Sequence, residues 1–290
     1  MEENFRKEDL RRFNEEIFAS MPDEPYLGPV PAGHVSRRKV SSVDMCFRAA
    51  SIILAVALLW MAGRSFIRPE EDLMAFTPRS ADVYTVANGV RSCVTLPDSS
   101  VIWLNCGSEL KVSDGFDNGE RSVYLEGEGY FEVKSDPDHP FYVHTPAGPV
   151  VKVTGTEFNL SCYASGSGMK VTLLRGAVEI LTGKDEVIPL EEGSKITLKG
   201  EFSSMDDNPD INGDTAWTRG TLHFDNTPMR DVIEAIERWY GVEVTVRDSS
   251  VYRNCFTADF RSESVNQVLE LLAITCGLVY TVDGTRIVIG

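Results

Sequence analysis

The sequence predicts a single transmembrane helix, then a mainly-β domain built as a sandwich or β-helix-like stack, then a small α+β domain. Three observations carry this expectation. Residues 49–63, AASIILAVALLWMAG, contain no charge and are bracketed by Arg48 and Arg64. From about 81 to 200 the chain breaks into short apolar runs separated by Gly, Asp, Ser and Pro, the pattern of many short strands. After 217 the apolar spacing turns helical in two places, with strand-like runs between.

The elements follow in order. Residues 1–45 form a tail that is expected to be cytoplasmic. Phe5, Leu10, Phe13, Ile17 and Phe18 fall largely at helical spacing over 5–20, and Pro22, Pro25, Pro29 and Pro31 then mark a linker. One helix cannot bury a core alone, so its apolar face needs a partner or the membrane surface. The charge-free run is short for a span of about 20 residues. Its flanks extend it to 46–67, because Arg48 and Arg64 can snorkel and Trp60 suits an interface. A cleaved signal peptide fits poorly, since the run starts far into the chain with no A-x-A-like site after it. Arg37, Arg38, Lys39 and Arg48 precede the span, while Arg64, Arg68 and Arg79 follow it, a slight bias toward a cytoplasmic N-terminus.

Residues 68–80 read as a polar linker. The β-rich part, 81–200, contains VIWL (101–104), SVYL (122–125), YFEV (130–133), VVKV (150–153), KVTLL (170–174), AVEIL (177–181) and KITL (195–198). Residues 201–216, rich in Asp, Ser, Asn and Gly, read as a further linker. In 217–290 the expected order is β-α-β-β-α-β-β. Thr227 can cap a first helix with Pro228 at its first position, and Gly241 sits where that helix should end. Ser264 and Gln267 make a capping box for the second, Gly277 ends it, and Asp283-Gly284 turns a closing hairpin.

Net charge is −16, which argues against nucleic acid as the main partner. The acidity lies beyond the apolar run, since residues 1–45 carry 7 Lys/Arg against 9 Asp/Glu. The six cysteines show no CxxC and no metal-ligand spacing. Cys93 and Cys106, on runs joined by 97–100, could bridge if their register suits; small buried thiols are the plainer account.

Four segments in order, VTLPDSSVIWLNCGSEL, VYLEGEGYFEV, HPFYVHT and VTGTEFNLSCY, resemble the FecR-type anti-sigma regulators over about residues 85–200. Ser99-Ser100 stands where that family usually has Gly-Ser. The ending WTRGTLHFDNTPMRDVIEAIERWYGVEV is similar to the C-terminal domain of the same family, whose pattern also resembles the short N-terminal domain of secretins and TonB-dependent receptors. The resemblance implies a single-pass inner-membrane protein with periplasmic β and α+β domains. Its C-terminal domain would receive a signal from the N-terminal domain of a TonB-dependent outer-membrane transporter. Its tail would hold or activate an extracytoplasmic-function sigma factor, controlling transcription. The tail lacks the longer helical domain and Trp-rich signature of many members, so Leu10, Phe13 and Ile17 are the expected sigma-factor contacts.

No catalytic constellation is present, and no enzyme activity or cofactor is expected. His139 and His144 flank PFYV without a third ligand nearby. Glu126 and Glu128 could pair for glycoside chemistry, but a GEG turn explains them as solvated residues. Asp98 and Asn105 read as a turn cap and a strand-end hydrogen-bonding group. Trp103, Tyr124, Tyr130 and Tyr142 could form a sugar platform, so a membrane-anchored glycan- or peptidoglycan-binding module is the alternative function. The last domain alone also suggests a part of a secretion apparatus.

Overall fold

The computed structural model describes residues 81–116, 119–165, 168–183, 186–200 and 202–290. The expected tail helix, the apolar run 46–67, the linker 68–80 and the residues Leu10, Phe13 and Ile17 lie outside them. Among the described residues no helix is long and apolar enough to cross a membrane.

Thirteen strands build the β domain: β1 (Ala81–Thr85), β2 (Ser92–Thr95), β3 (Val101–Leu104), β4 (Glu109–Ser113), β5 (Arg121–Glu132), β6 (Phe141–His144), β7 (Val150–Val153), β8 (Glu157–Cys162), β9 (Met169–Arg175), β10 (Val178–Thr182), β11 (Glu186–Leu190), β12 (Lys195–Lys199) and β13 (Phe202–Asp206). They form two curved sheets joined through β5. The first sheet runs β1-β4-β5-β6-β7-β10-β11. The second runs β2-β3-β5-β8-β9-β12-β13 and is antiparallel throughout. Only β5 and β6 pair in parallel among the described strands of this domain. The thirteen strands thus make one continuous, half-barrel sheet, the mainly-β domain that the sequence predicts.

The chain folds this way because apolar side chains alternate. Val123, Leu125 and Phe131 of β5, Ile102 and Leu104 of β3, and Phe158 and Leu160 of β8 all point into one core. Phe131 stacks on Phe158 at 4.8 Å and meets Phe141 of the first sheet edge-on at 6.5 Å. Each such ring contributes about 2–3 kcal/mol by leaving water.

The expected turn at Glu126-Gly127-Glu128-Gly129 is corrected by the structure. SVYL and YFEV are two halves of the single strand β5, which crosses from one sheet to the other. Gly127 permits the crossing. Its φ is +123°, and a Cβ there would stand 2.6 Å from the Cα of Ser108. Glu126 and Glu128 are consequently mid-strand residues rather than turn residues. Cys93 lies opposite Trp103, not Cys106, and both cysteines are free thiols.

The stretch 201–216, read as a linker, carries two elements. Strand β13 extends the second sheet, and a turn of helix, α1 (Ile211–Asp214), follows, capped by Asp210. A 3-10 turn (Ala216–Arg219) then leads into the C-terminal domain. That domain has the expected order: β14 (Leu222–Pro228), α2 (Met229–Tyr240), β15 (Glu243–Val246), β16 (Cys255–Phe260), α3 (Val265–Cys276), β17 (Tyr280–Asp283) and β18 (Arg286–Ile289). β14 pairs with β16, and β18 lies between β15 and β17. Gly241 and Gly277 end the helices in the left-handed region, and Ser264 N–H donates to Gln267 Oε1 at 2.8 Å. Thr227 does not cap α2: β14 runs on through Pro228, because Thr227 and Pro228 pair with Phe256 and Cys255. Met229, Val232, Ile233 and Ile236 bury one face of α2 against Phe224, Phe256 and Phe260.

Candidate functional site at the seam between the two domains

The outer face of the second sheet is polar, and register explains how. Cys93, Trp103, Tyr130, Asn159, Thr172, Lys195 and Asp206 stand opposite one another in one row across seven strands. Because side chains alternate, all seven leave the core side free for Ile102, Phe131, Phe158, Leu173 and Ile196.

The connector between the domains lies over the middle of this row. Trp217 of the 3-10 turn is buried and donates its Nε1 hydrogen to Asn159 Oδ1 at 3.1 Å. Asp214 of α1 accepts from Thr172 Oγ1 at 2.8 Å and from Lys195 Nζ at 2.6 Å. Asn159 and Thr172 are themselves buried, so each needs the partner the connector brings.

Behind Asn159 the network continues to Glu128. Its carboxylate accepts from Asn159 Nδ2 at 3.0 Å and from Asn105 Nδ2 at 2.7 Å. Asn105 also accepts from the Cys106 N–H at 2.9 Å, so it closes the end of β3 as expected and reaches the network as well. Burial raises the Glu128 pKa above the ordinary carboxylate range, while the two amide donors and Arg238 oppose that rise. The residue read as a solvated turn carboxylate is thus a structural acceptor.

The C-terminal domain meets this face through the end of α2. The Arg238 guanidinium stacks over the Tyr163 ring at 4.0 Å, and its carbonyl accepts from the Gly89 N–H at 2.7 Å. Arg91 lies over the Trp239 ring at 4.2 Å and donates to the Trp217 carbonyl at 3.4 Å. Tyr163 in turn donates to the Cys106 carbonyl at 2.9 Å. Two cation–π contacts, each about 0.5–2 kcal/mol, therefore sit beside a backbone hydrogen bond. Both domains belong to one compact unit. A polar cavity of about 360 Å³ opens along the seam, lined by Glu128, Asn159, Lys170, Asp214, Trp217 and Arg238 among others.

The remaining candidates separate. His139 Nδ1 lies 3.0 Å from Asp136 at the surface, whereas His144 is buried in β6. Among the described residues no cluster of His, Cys, Asp or Glu could hold a metal ion. Asp98 caps its turn, accepting from the Ser100 N–H at 2.8 Å, and also pairs with the buried Arg121 at 3.1 Å. Trp103 and Tyr130 are cross-strand partners, while Tyr124 and Tyr142 belong to the first sheet. Sequence reasoning missed Trp217, Asp214, Arg91, Arg238 and Trp239. Two of the five, Asp214 and Trp217, lie at or beside a supposed linker, where a tryptophan is an unusual choice.

The comparisons with known proteins agree with this organisation. The model of the FecR protein family matches residues 82–179, and that of the FecR C-terminal domain matches 221–289. Two crystal structures of a candidate anti-sigma factor from Parabacteroides distasonis ATCC 8503 are similar at 30% identity and a TM-score of 0.67. In each case the match covers 72% of this chain and 98% of that one. The chain belongs to the FecR family. No curated protein matches it. The seam of this FecR protein lies between its two family domains, and the connector 209–220 falls between the two matched segments.

Proposed function

We propose that this FecR protein is an anti-sigma signal transducer of the inner membrane, with residues 46–67 as its span and the described domains in the periplasm. The observation that carries the reading is the pairing of both FecR domains, in order, with a likeness to a candidate anti-sigma factor over nearly all of that chain. In this reading the C-terminal domain receives the N-terminal signalling domain of a TonB-dependent outer-membrane transporter. The tail, through Leu10, Phe13 and Ile17, contacts an extracytoplasmic-function sigma factor and so controls transcription.

The C-terminal domain offers a surface suited to a protein partner. Among the described strands β17 is an edge, and Val282 on it and Ile274 and Val279 near it are exposed. The opposite edge, β15, is partly closed, because the Val244 N–H donates to Glu237 Oε1 at 2.7 Å. An open edge with apolar neighbours is the usual setting for added strands. The seam suits signal relay, because Trp217, Asp214 and Arg238 tie the two domains through hydrogen bonds and a stacked guanidinium.

Affinity purification of tagged full-length protein from membranes, with and without transporter substrate, tests the reading. Recovery of a sigma factor and a TonB-dependent receptor is expected. A Leu10→Asp, Phe13→Asp pair should abolish sigma capture. Recovery of neither partner would sink the proposal.

A further inference from the structure

A second groove lies outside the seam network. It runs between the outer face of the second sheet and the connector, with a volume of about 330 Å³. Trp103 and Tyr130, opposite one another on β3 and β5, line one side. Trp103 remains 40% exposed although it sits mid-sheet, with strands paired on both sides of its own. The Tyr130 hydroxyl donates to Glu157, which fixes that ring.

The facing wall is polar. Arg219 is held at the rim by donating to the Asn212 carbonyl at 2.7 Å and to Thr215 Oγ1 at 3.4 Å. Thr218 and Ile211 also line this wall, while Glu132 and Leu174 join Trp103 and Tyr130 on the sheet side. Within this lining Arg219 balances Glu132, and the Glu157 that holds Tyr130 is paired with Arg175, so the groove is locally neutral in a strongly acidic chain.

These features select a ligand chemistry. Two aromatic faces favour a flat apolar surface. A rim of guanidinium, carboxylate, carbonyl and hydroxyl groups favours a periphery that both donates and accepts. Balanced charge disfavours an anion. A peptide strand has no free backbone edge to join here, since β3 and β5 are each paired on both sides. We propose that the Trp103–Tyr130 groove is a binding site for a neutral saccharide, with a pyranose ring stacked on Trp103 and its hydroxyls held by Arg219 and Glu132. The volume suits about two sugar rings, near the lower end of ordinary ligand sites.

The site is independent of the sigma-factor reading, so either can fail alone. The test is isothermal titration of full-length protein with the tetrasaccharides of β-1,4-linked N-acetylglucosamine, β-1,4-linked glucose and α-1,4-linked glucose. At least one should bind. Trp103→Ala should weaken that binding at least tenfold, and Trp103→Phe by only a few fold. Arg219→Gln, on the facing wall and away from the core, should also weaken it severalfold. In the unsubstituted protein the bound sugar should shield Trp103 from oxidation by N-bromosuccinimide, a reading that needs no variant to fold. Absence of binding to all three probes at millimolar concentration would overturn the proposal. So would binding that leaves Trp103 unshielded or that survives Trp103→Ala.

Discussion

The Trp217 indole donates to Asn159 Oδ1, and through that single contact the start of the C-terminal region is tied to the middle of a sheet 58 residues earlier. Both groups are buried. Trp217→Phe keeps the ring bulk but leaves the amide oxygen without its donor. The expected loss is about 1–3 kcal/mol. It should appear as a lower urea midpoint with the slope unchanged. Trp217→Ala should cost more, about 3–5 kcal/mol.

Ser99 stands in the left-handed region, with φ of +71°, at the turn between β2 and β3. A side chain there costs about 1 kcal/mol that glycine avoids. Ser99→Gly should therefore raise the thermal midpoint, despite the added freedom of the unfolded chain, by an amount equivalent to about 0.5–1 kcal/mol. An unchanged or lower midpoint by calorimetry would show that the turn relieves its strain another way.

Asp98 and Arg121 form a largely buried ion pair, and Arg121 also donates to the carbonyls of Lys134, Asp136 and His139. Asp98→Ala removes the counter-charge and the turn cap together. The guanidinium keeps its carbonyl partners but is left buried without a counter-charge, for an expected loss of about 3 kcal/mol. Asp98→Asn keeps the cap oxygen and should lose less. Chemical denaturation of the two variants side by side orders them.

Burial lowers the His144 pKa from 6.5 to about 4. The folded state holds this imidazole neutral where the unfolded chain would protonate it. Between pH 6.5 and pH 4 the unfolded state thus binds more protons, and stability falls as pH falls. The contribution is complete above pH 6.5 and amounts to at most about 3 kcal/mol. Glu128 acts the other way, because its pKa is raised: its contribution weakens as pH rises above the ordinary carboxylate range. Urea midpoints measured from pH 4 to 8 should climb across the histidine window, and His144→Gln should flatten that climb.

Much of this fold is legible because alternation and turn chemistry agree locally. VIWL is β3 residue for residue, and Gly241, Gly277, Ser264 and Gln267 mark helix ends where the structure has them. Legibility ends where tertiary contact overrides local habit. GEG reads as a turn, yet Gly127 serves a strand passing close over Ser108. Thr227-Pro228 reads as a helix start, yet β16 draws both residues into a strand. Residues 201–216 read as a linker because their polar composition hides a fully exposed edge strand, and because Asp214 finds its partners, Thr172 and Lys195, on strands well before it. The row of outward residues on the second sheet could be found only once the strand registers were known.

The shared strand β5 has a mechanical meaning. Two sheets joined only by loops can slide over each other; here they hold one continuous stretch of backbone in common. A load entering at the C-terminal domain passes through the connector to β8 and β9, then to β5, and so reaches the first sheet without crossing a flexible joint. The β domain should yield to force in one step, as a stiff spacer that delivers displacement undiminished from one end to the other.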